Sequence, residues 1–208
     1  MKSTLLGLSL ALLSSFSYAE QAEPAIKGFG FYYDVPNHAP ISDQTVFKVA
    51  FDVADAAEKG AQNNKMNSLA RFINMHIAHG VKPENIQLAL VVHGGASVDV
   101  LENSFYKQRF DSDNKNQQLI SQLLAQNTVV YLCGQSATHM KVKQQQLIPG
   151  VQMALSAMTA HAQLQQLDHI LTLSFVDAFE QHELSEPDQQ HLWALWHSLK
   201  GSSPVLAS

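Results

Sequence analysis

The chain has 208 residues, 46% of them hydrophobic, and 13 basic residues against 18 acidic give a formal charge of −5. That length suits one domain with a sizeable core, and a mildly acidic chain without a Lys/Arg run argues against nucleic acid or an anionic membrane as its partner. Cys133 is the only cysteine, which excludes an internal disulfide and leaves the hydrophobic core alone to hold the fold.

Met1-Lys2 gives a short positive start, Leu5 to Phe16 is an apolar stretch diluted by Ser and Gly, and Ser17-Tyr18-Ala19 ends on a small residue. Residues 1–19 therefore read as a secretory signal peptide cleaved after Ala19. The stretch is too short and too polar for a membrane span, which needs about 20 apolar residues. No later segment is long and apolar enough to cross a bilayer, so the mature chain is expected to be without a span and, if the source is a Gram-negative bacterium, the leader makes it periplasmic. Loss of Lys2 with the leader leaves 12 basic residues against 18 acidic, a charge of −6.

Residues 20–45 are rich in Pro, Gly and aromatic residues, including Phe29-Gly30-Phe31-Tyr32-Tyr33, and Pro36 and Pro40 flank Asn37-His38. Regular structure is disfavoured there. The segment is expected to wrap the core as an extended arm, with its aromatics as packing groups. Val46 to Val53 reads as a buried strand. From Asn64 to Ala78 the apolar residues Met66, Leu69, Ala70, Ile73 and Ile77 fall at helical spacing, and Gly80 and Pro83 stop the helix. Ile86 to Val92 is a second strand running into His93-Gly94-Gly95.

Leu119, Ile120, Leu123 and Leu124 mark a second helix, stopped near Asn127. Thr128 to Leu132 is the third strand, with Cys133 following it in a loop. A short helix is expected over Lys141 to Leu147 and a fourth strand over Val151 to Leu155. Ala157 to Leu167 follows as a helix with Met158, Leu164 and Leu167 inward, and His169 to Leu173 as a fifth strand. In the tail, 176–208, Pro187 sits at a first helical position, and Leu192, Leu195, Trp196 and Leu199 form one stripe ended by Gly201. With Trp193 beside it, this amphipathic helix is expected to dock on its own domain, the alternative being that it covers a neighbouring subunit or a partner. Continuously apolar strands separated by amphipathic helices imply an α/β fold: a three-layer α/β/α domain over 46–175 with a mostly parallel sheet of about five strands.

In such a sheet ligands gather at the carboxyl ends of the strands. Asp52 and Asp55 fall there after the first strand, His93-Gly94-Gly95 after the second, and Cys133-Gly134-Gln135-Ser136 after the third. Cys133 is the candidate catalytic residue. A thiol attacks as the thiolate, and free backbone N–H groups after a strand end favour that anion. His93, Gly94, Gly134, Gln135 and Ser136 are the candidate binding residues around it. Gly134 would let another molecule approach the backbone, and His93 would lower the thiol pKa if its strand neighbours that of Cys133. The alternative is that Cys133 closes the sheet as a small apolar residue.

The ten histidines include His76 and His79 at helical spacing, but no His-x-His, Cys-x-x-Cys or His-Glu-x-x-His pattern occurs. A metal would require Cys133, His93 and His139 to assemble in space, and none is expected. Gly94-Gly95 lacks both nucleotide fingerprints, and there is no Gly-x-Ser-x-Gly elbow. No cofactor is expected.

Several of these segments, in this order and spacing, resemble the DsrE/DsrF-like family of small sulfur-relay proteins. They are Phe47-Lys48-Val49-Ala50-Phe51-Asp52, Asn67-Ser68-Leu69-Ala70-Arg71-Phe72-Ile73-Asn74 and Leu88-Ala89-Leu90-Val91-Val92-His93-Gly94. They continue with Val129-Val130-Tyr131-Leu132-Cys133-Gly134-Gln135-Ser136 and Leu147-Ile148-Pro149-Gly150-Val151. The resemblance implies an α/β/α domain that assembles into homo-oligomers. It also implies that Cys133 matches a strand-end cysteine carrying sulfur as a persulfide, loaded from a small sulfane-sulfur donor and unloaded to an acceptor protein thiol. The competing expectation is a non-catalytic binding or assembly module on the same fold. The aromatic arm and the Trp helix are additions to the family core.

Overall fold

The computed structural model describes residues 23–168 and 170–172; the expected leader and tail helix lie outside the described residues. Ten elements follow one another: β1 (Phe47–Val53), α1 (Asn64–Ala78), β2 (Ile86–Val92), α2 (Asn103–Phe110), α3 (Gln117–Ala125), β3 (Val129–Cys133), α4 (Gly134–His139), β4 (Gln152–Ala154), α5 (Ala157–Gln166) and β5 (Ile170–Thr172). Every described strand pairing is parallel, in the order β4-β3-β2-β1-β5. β1 to β4 form a four-stranded body, and the three-residue β5 adds to the free edge of β1.

That order explains the layers. From β1 to β4 each connection steps in the same direction across the sheet, and right-handed crossovers put the intervening helices on one face. The step from β4 back across to β5 runs the other way, so α5 lands on the opposite face. Side-chain packing agrees. Phe51, Val53, Leu88, Leu90, Val92, Val130 and Leu132 point into the main core with Met66, Leu69 and Ile73 of α1 and Leu119, Ile120 and Leu123 of α3. On the other face Ala50, Ala89 and Val91 meet Ala160 and Leu164 of α5 as their buried partners among the described residues.

Three local departures from the sequence expectations have physical causes. The segment Asn103–Phe110 is helical although only Tyr106 is buried, so it carries no apolar stripe to reveal it. Lys141–Leu147 is not a helix: Lys141 adopts φ 55°, outside the helical region, and only a 3-10 turn at Gln144–Gln146 forms. In α5 the inward stripe is Ala157, Ala160, His161 and Leu164, whereas Met158 and Leu167 are 80% and 62% exposed. Met158 lies off this i, i+3, i+4, i+7 stripe, and Leu167 lies past the last helical residue as the C-cap of α5.

Residues 23–46 contain no helix or strand and are fastened by side chains of α1. Asn74, itself buried, accepts from Ile26 N at 2.9 Å and donates to Ile26 O and Phe29 O at 3.0 Å each. Ile26 is fully buried. Gly30, at φ 68°, lies against the α1 backbone at Ala70 and Arg71, where a Cβ would have no room. Phe29 packs on the core, but Phe31 and Tyr33 are exposed, contrary to the expectation that the arm aromatics all pack.

A second polar network fixes the loops after β1 and β2. Asp99 Oδ2 accepts from Ala57 N at 2.9 Å and Asn63 Nδ2 at 2.8 Å, while Asn114 Nδ2 donates to Asp99 O and Leu101 O. Asp99 is fully buried, and its Oδ1 has no partner among the described residues. Burial pushes its carboxyl above the ordinary value, outweighing the opposite pull of Asn63 and Ala57.

Two outcomes are expected. Asn74→Ala strands buried backbone groups of the arm and should cost about 2–4 kcal/mol in chemical denaturation; a loss below about 1 kcal/mol would mean the arm does not unfold with the domain. The folded carboxyl of Asp99 titrates above the unfolded one, so its protonated form adds stability that is lost as pH rises from the ordinary aspartate value of 3.8 through the folded value. Asp99→Asn should therefore gain stability relative to wild type as pH is raised from about 3 to about 7, and parallel stability curves would contradict this.

Candidate functional site

All strands being parallel, their carboxyl ends share one edge, and Cys133 lies on it. It is not in a loop after β3, as the sequence suggested, but is the last residue of β3 and the N-cap of α4, which begins at once with Gly134. The six-residue α4 is polar apart from Ala137, so nothing in its composition announces a helix. Leu132 points to the main core, and by the period of two Cys133 points to the α5 face, after Val129 and Tyr131. Cys133 pairs in register with Ala154 of β4. It is 5% exposed.

The cover over the thiol is the turn from β4 into α5. A Cβ on Gly134 would stand 2.7 Å from Ala154 O and 3.2 Å from Leu155 O, so the close approach that Gly134 permits is made by the protein's own chain. Ser156 begins α5 in extended conformation and accepts from Thr159 N at 3.0 Å. This cap leaves the N–H of Ala157 free to face the sulfur.

Burial raises the Cys133 thiol, but the Ser136 hydroxyl and the backbone N–H groups of Ser136, Ala157 and Gln135 outweigh it and bring the thiol below its ordinary value. The sulfur makes no capping hydrogen bond to α4 in the strict sense, so these N–H groups act as dipoles aimed at it. Ser136 is itself oriented, because its Oγ accepts from Gly94 N at 2.9 Å. That contact ties the loop after β2 to the thiol.

His93 stands where β2 and β3 are neighbours, one residue beyond the Val92–Leu132 pair. Its ring, however, turns toward β1: Nε2 lies 2.8 Å from Asp52 Oδ2. The other oxygen of Asp52 lies 2.7 Å from Nε2 of His161. A carboxylate only accepts, so each ring presents Nε2–H to it. Asp52 belongs to β1 itself and shares the α5 face with Ala50. Asp55 is elsewhere, exposed, and paired with Lys65 at 2.8 Å; that hydrogen bond and charge hold its carboxyl below the usual range.

Sequence reasoning missed His161. The signal was present in the stripe of α5, where His161 is four residues after Ala157 and three before Leu164.

Gly94, Gln135 and Ser136 do come together, lining with Gly95, His139 and Met140 an open cavity of about 450 Å³. His93, Gly134 and Cys133 are not among its walls. His76 and His79 donate Nδ1–H to Phe72 O and Met75 O, at 2.7 Å each, and serve their own helix. Among the described residues no three His, Cys, Asp or Glu side chains are grouped to hold a metal ion.

Replacing Ser136 with Ala should raise the thiol pKa and slow alkylation of Cys133 at a pH below its midpoint about two- to tenfold. The pH profile of iodoacetamide labelling checks this; an unchanged profile would show that the hydroxyl does not serve the thiolate.

A family model described as DsrE/DsrF-like family matches residues 47–173 of the chain. No curated protein matches it. Among solved structures, the protein of unknown function MTH1491 from Methanobacterium thermoautotrophicum is 15% identical, with 61% of this chain and 98% of that one covered at a TM-score of 0.45. The ychN protein from E. coli is 25% identical, with 62% and 100% covered, also at a TM-score of 0.45.

Proposed function

The chain belongs to the DsrE/DsrF-like family, and from that premise we propose that it carries sulfane sulfur as a persulfide on Cys133. The supporting observation is the setting of the thiol: a single cysteine at a strand end, faced by a hydroxyl and three backbone N–H groups that favour its anion. The thiolate attacks the outer sulfur of a donor R–S–SH, forming Cys133–S–SH and releasing R–S⁻. An acceptor thiolate then attacks the outer sulfur in turn, takes it as its own persulfide and regenerates the Cys133 thiolate. Atoms and electrons balance without a cofactor. The oriented dipoles stabilise the negative sulfur at each stage.

Export to the periplasm, on the reading of residues 1–19, and assembly into a homo-oligomer are part of this proposal. No helix among the described residues is long and apolar enough to cross a membrane.

A second reading, a non-catalytic binding or assembly module, is favoured by the 5% exposure of Cys133. In the carrier the β4–α5 turn must yield to admit a donor, whereas in the module it never does.

Intact mass of the full chain after incubation with polysulfide separates them. The carrier gains one or more sulfur atoms, loses them on reduction, and gains none as Cys133→Ser. A folded protein that gains nothing, and whose thiol reacts with a labelling reagent only in denaturant, is the module.

A further inference from the structure

Among the described residues the second face of the sheet has a much smaller apolar core than the first. Among the described residues Ala50, Ala89 and Val91 lie buried beneath α5, with Val129 and Tyr131 partly buried beside them, and α5 sets buried Ala160 and Leu164 and partly buried Ala157 against them. Small, smooth groups of this kind attract a helix without fixing its rotation or its slide. Two directional contacts tie α5 to β1 on that face: at its C-terminal end Lys48 Nζ donates to Leu167 O at 3.3 Å in an exposed bond, and within the helix His161 Nε2–H donates to Asp52 Oδ1 at the shorter distance of 2.7 Å. Asp52 is fixed in turn by β1 and, through Oδ2, by His93 at 2.8 Å. His161 is buried enough that its Nδ1 has no partner among the described residues. A polar ring placed in a small apolar seam, using one nitrogen and leaving the other unserved, is there for the bond it makes.

Four residues before His161, about 6 Å along the same helix, Ala157 follows the turn whose Ala154 pairs in register with Cys133 and whose carbonyls crowd Gly134, and its N–H is among the groups that favour the Cys133 thiolate. The helix between them is one rigid turn, so the angle and depth set at His161 are transmitted to Ala157. A hydrogen-bond dipole loses its effect steeply with misalignment. We propose that Asp52 and His161 are positioning residues for Cys133, acting through α5 to place the Ala157 N–H against the sulfur. The inference rests on the carrier reading for the use made of the thiolate and adds the device that prepares it.

The test is a cycle of variants in the full chain, read as the pH profile of Cys133 alkylation by iodoacetamide. Ala157→Pro removes the N–H alone: proline suits a first helical position, and Ser156 before it is already extended at φ −154°, ψ 165°. It should move the alkylation midpoint upward and slow the reaction below it about two- to tenfold. His161→Ala should do the same, the double variant should be no slower than the slower single one, and His161→Gln, which keeps an N–H near the ring Nε2 position, should recover most of the rate.

A His161→Ala profile that matches wild type, or slowing factors that multiply in the double variant, would overturn the proposal. Should His161→Ala fail to fold, Asp52→Ala, which removes the acceptor, takes its place in the cycle and the same two results decide. Alkylation needs no sulfur donor. Failure of polysulfide loading therefore removes the carrier reading while the cycle still judges the positioning role, and multiplied effects with intact loading remove the positioning role alone.

Discussion

One crossover runs against the others, and the rest of the molecule is arranged around it. The chain walks from β1 to β4 in one direction and is obliged by handedness to lay its helices on a single face. Only the return from β4 to β5 reverses the walk, so the second face receives α5 and, among the described residues, nothing else as deep. A sheet buried on both faces must be apolar on both, which is why β2 is buried at nearly every position. The two faces are unequal in how they are held. The first has a broad core of Leu, Ile, Val and Met; among the described residues the second has a small cluster of alanines, Val91 and Leu164 buried, Val129 and Tyr131 at its margin, and a hydrogen-bonded carboxylate.

That inequality bears on the chemistry. Cys133, Asp52 and the ring of His161 all belong to the thin face, where period-two alternation sends them away from the main core. Burying a carboxylate against the sheet costs free energy unless its oxygens are served, and here each oxygen meets an imidazole. For the thiol, the same shielding that limits access also excludes water from the dipoles facing it, which strengthens them. A thiolate site under a short turn combines both properties. The 5% exposure and the lowered thiol pKa are two sides of one arrangement, and not opposing indications.

Much of the fold could be read from the chain. α1 and β2 begin and end where apolar spacing, Gly80 and Pro83 place them, and β3 is off by one residue at each end. Those elements carry their own signal because a helix or strand that feeds the main core must be apolar at a strict period. α2 and α4 were not legible, since each buries a single residue and is set by its neighbours. The candidate site was legible in part. Cys133 and Ser136 could be named from their place after a strand, but His93 turned out to serve Asp52, and Gly134 admits the protein's own β4–α5 turn.

The sequence by itself determined the parallel α/β architecture and the position of a lone thiol on the edge where its strands end. It does so because burial on both faces leaves a periodic record in every strand and helix that joins the core. Only the tertiary structure decided which groups face that thiol. Ala157 and Gln135 lie 22 residues apart in the chain, and Asp52 and His161 are separated by 109. Contacts over such distances are fixed by the order of the strands and the direction of one crossover, neither of which is written in any local stretch of residues.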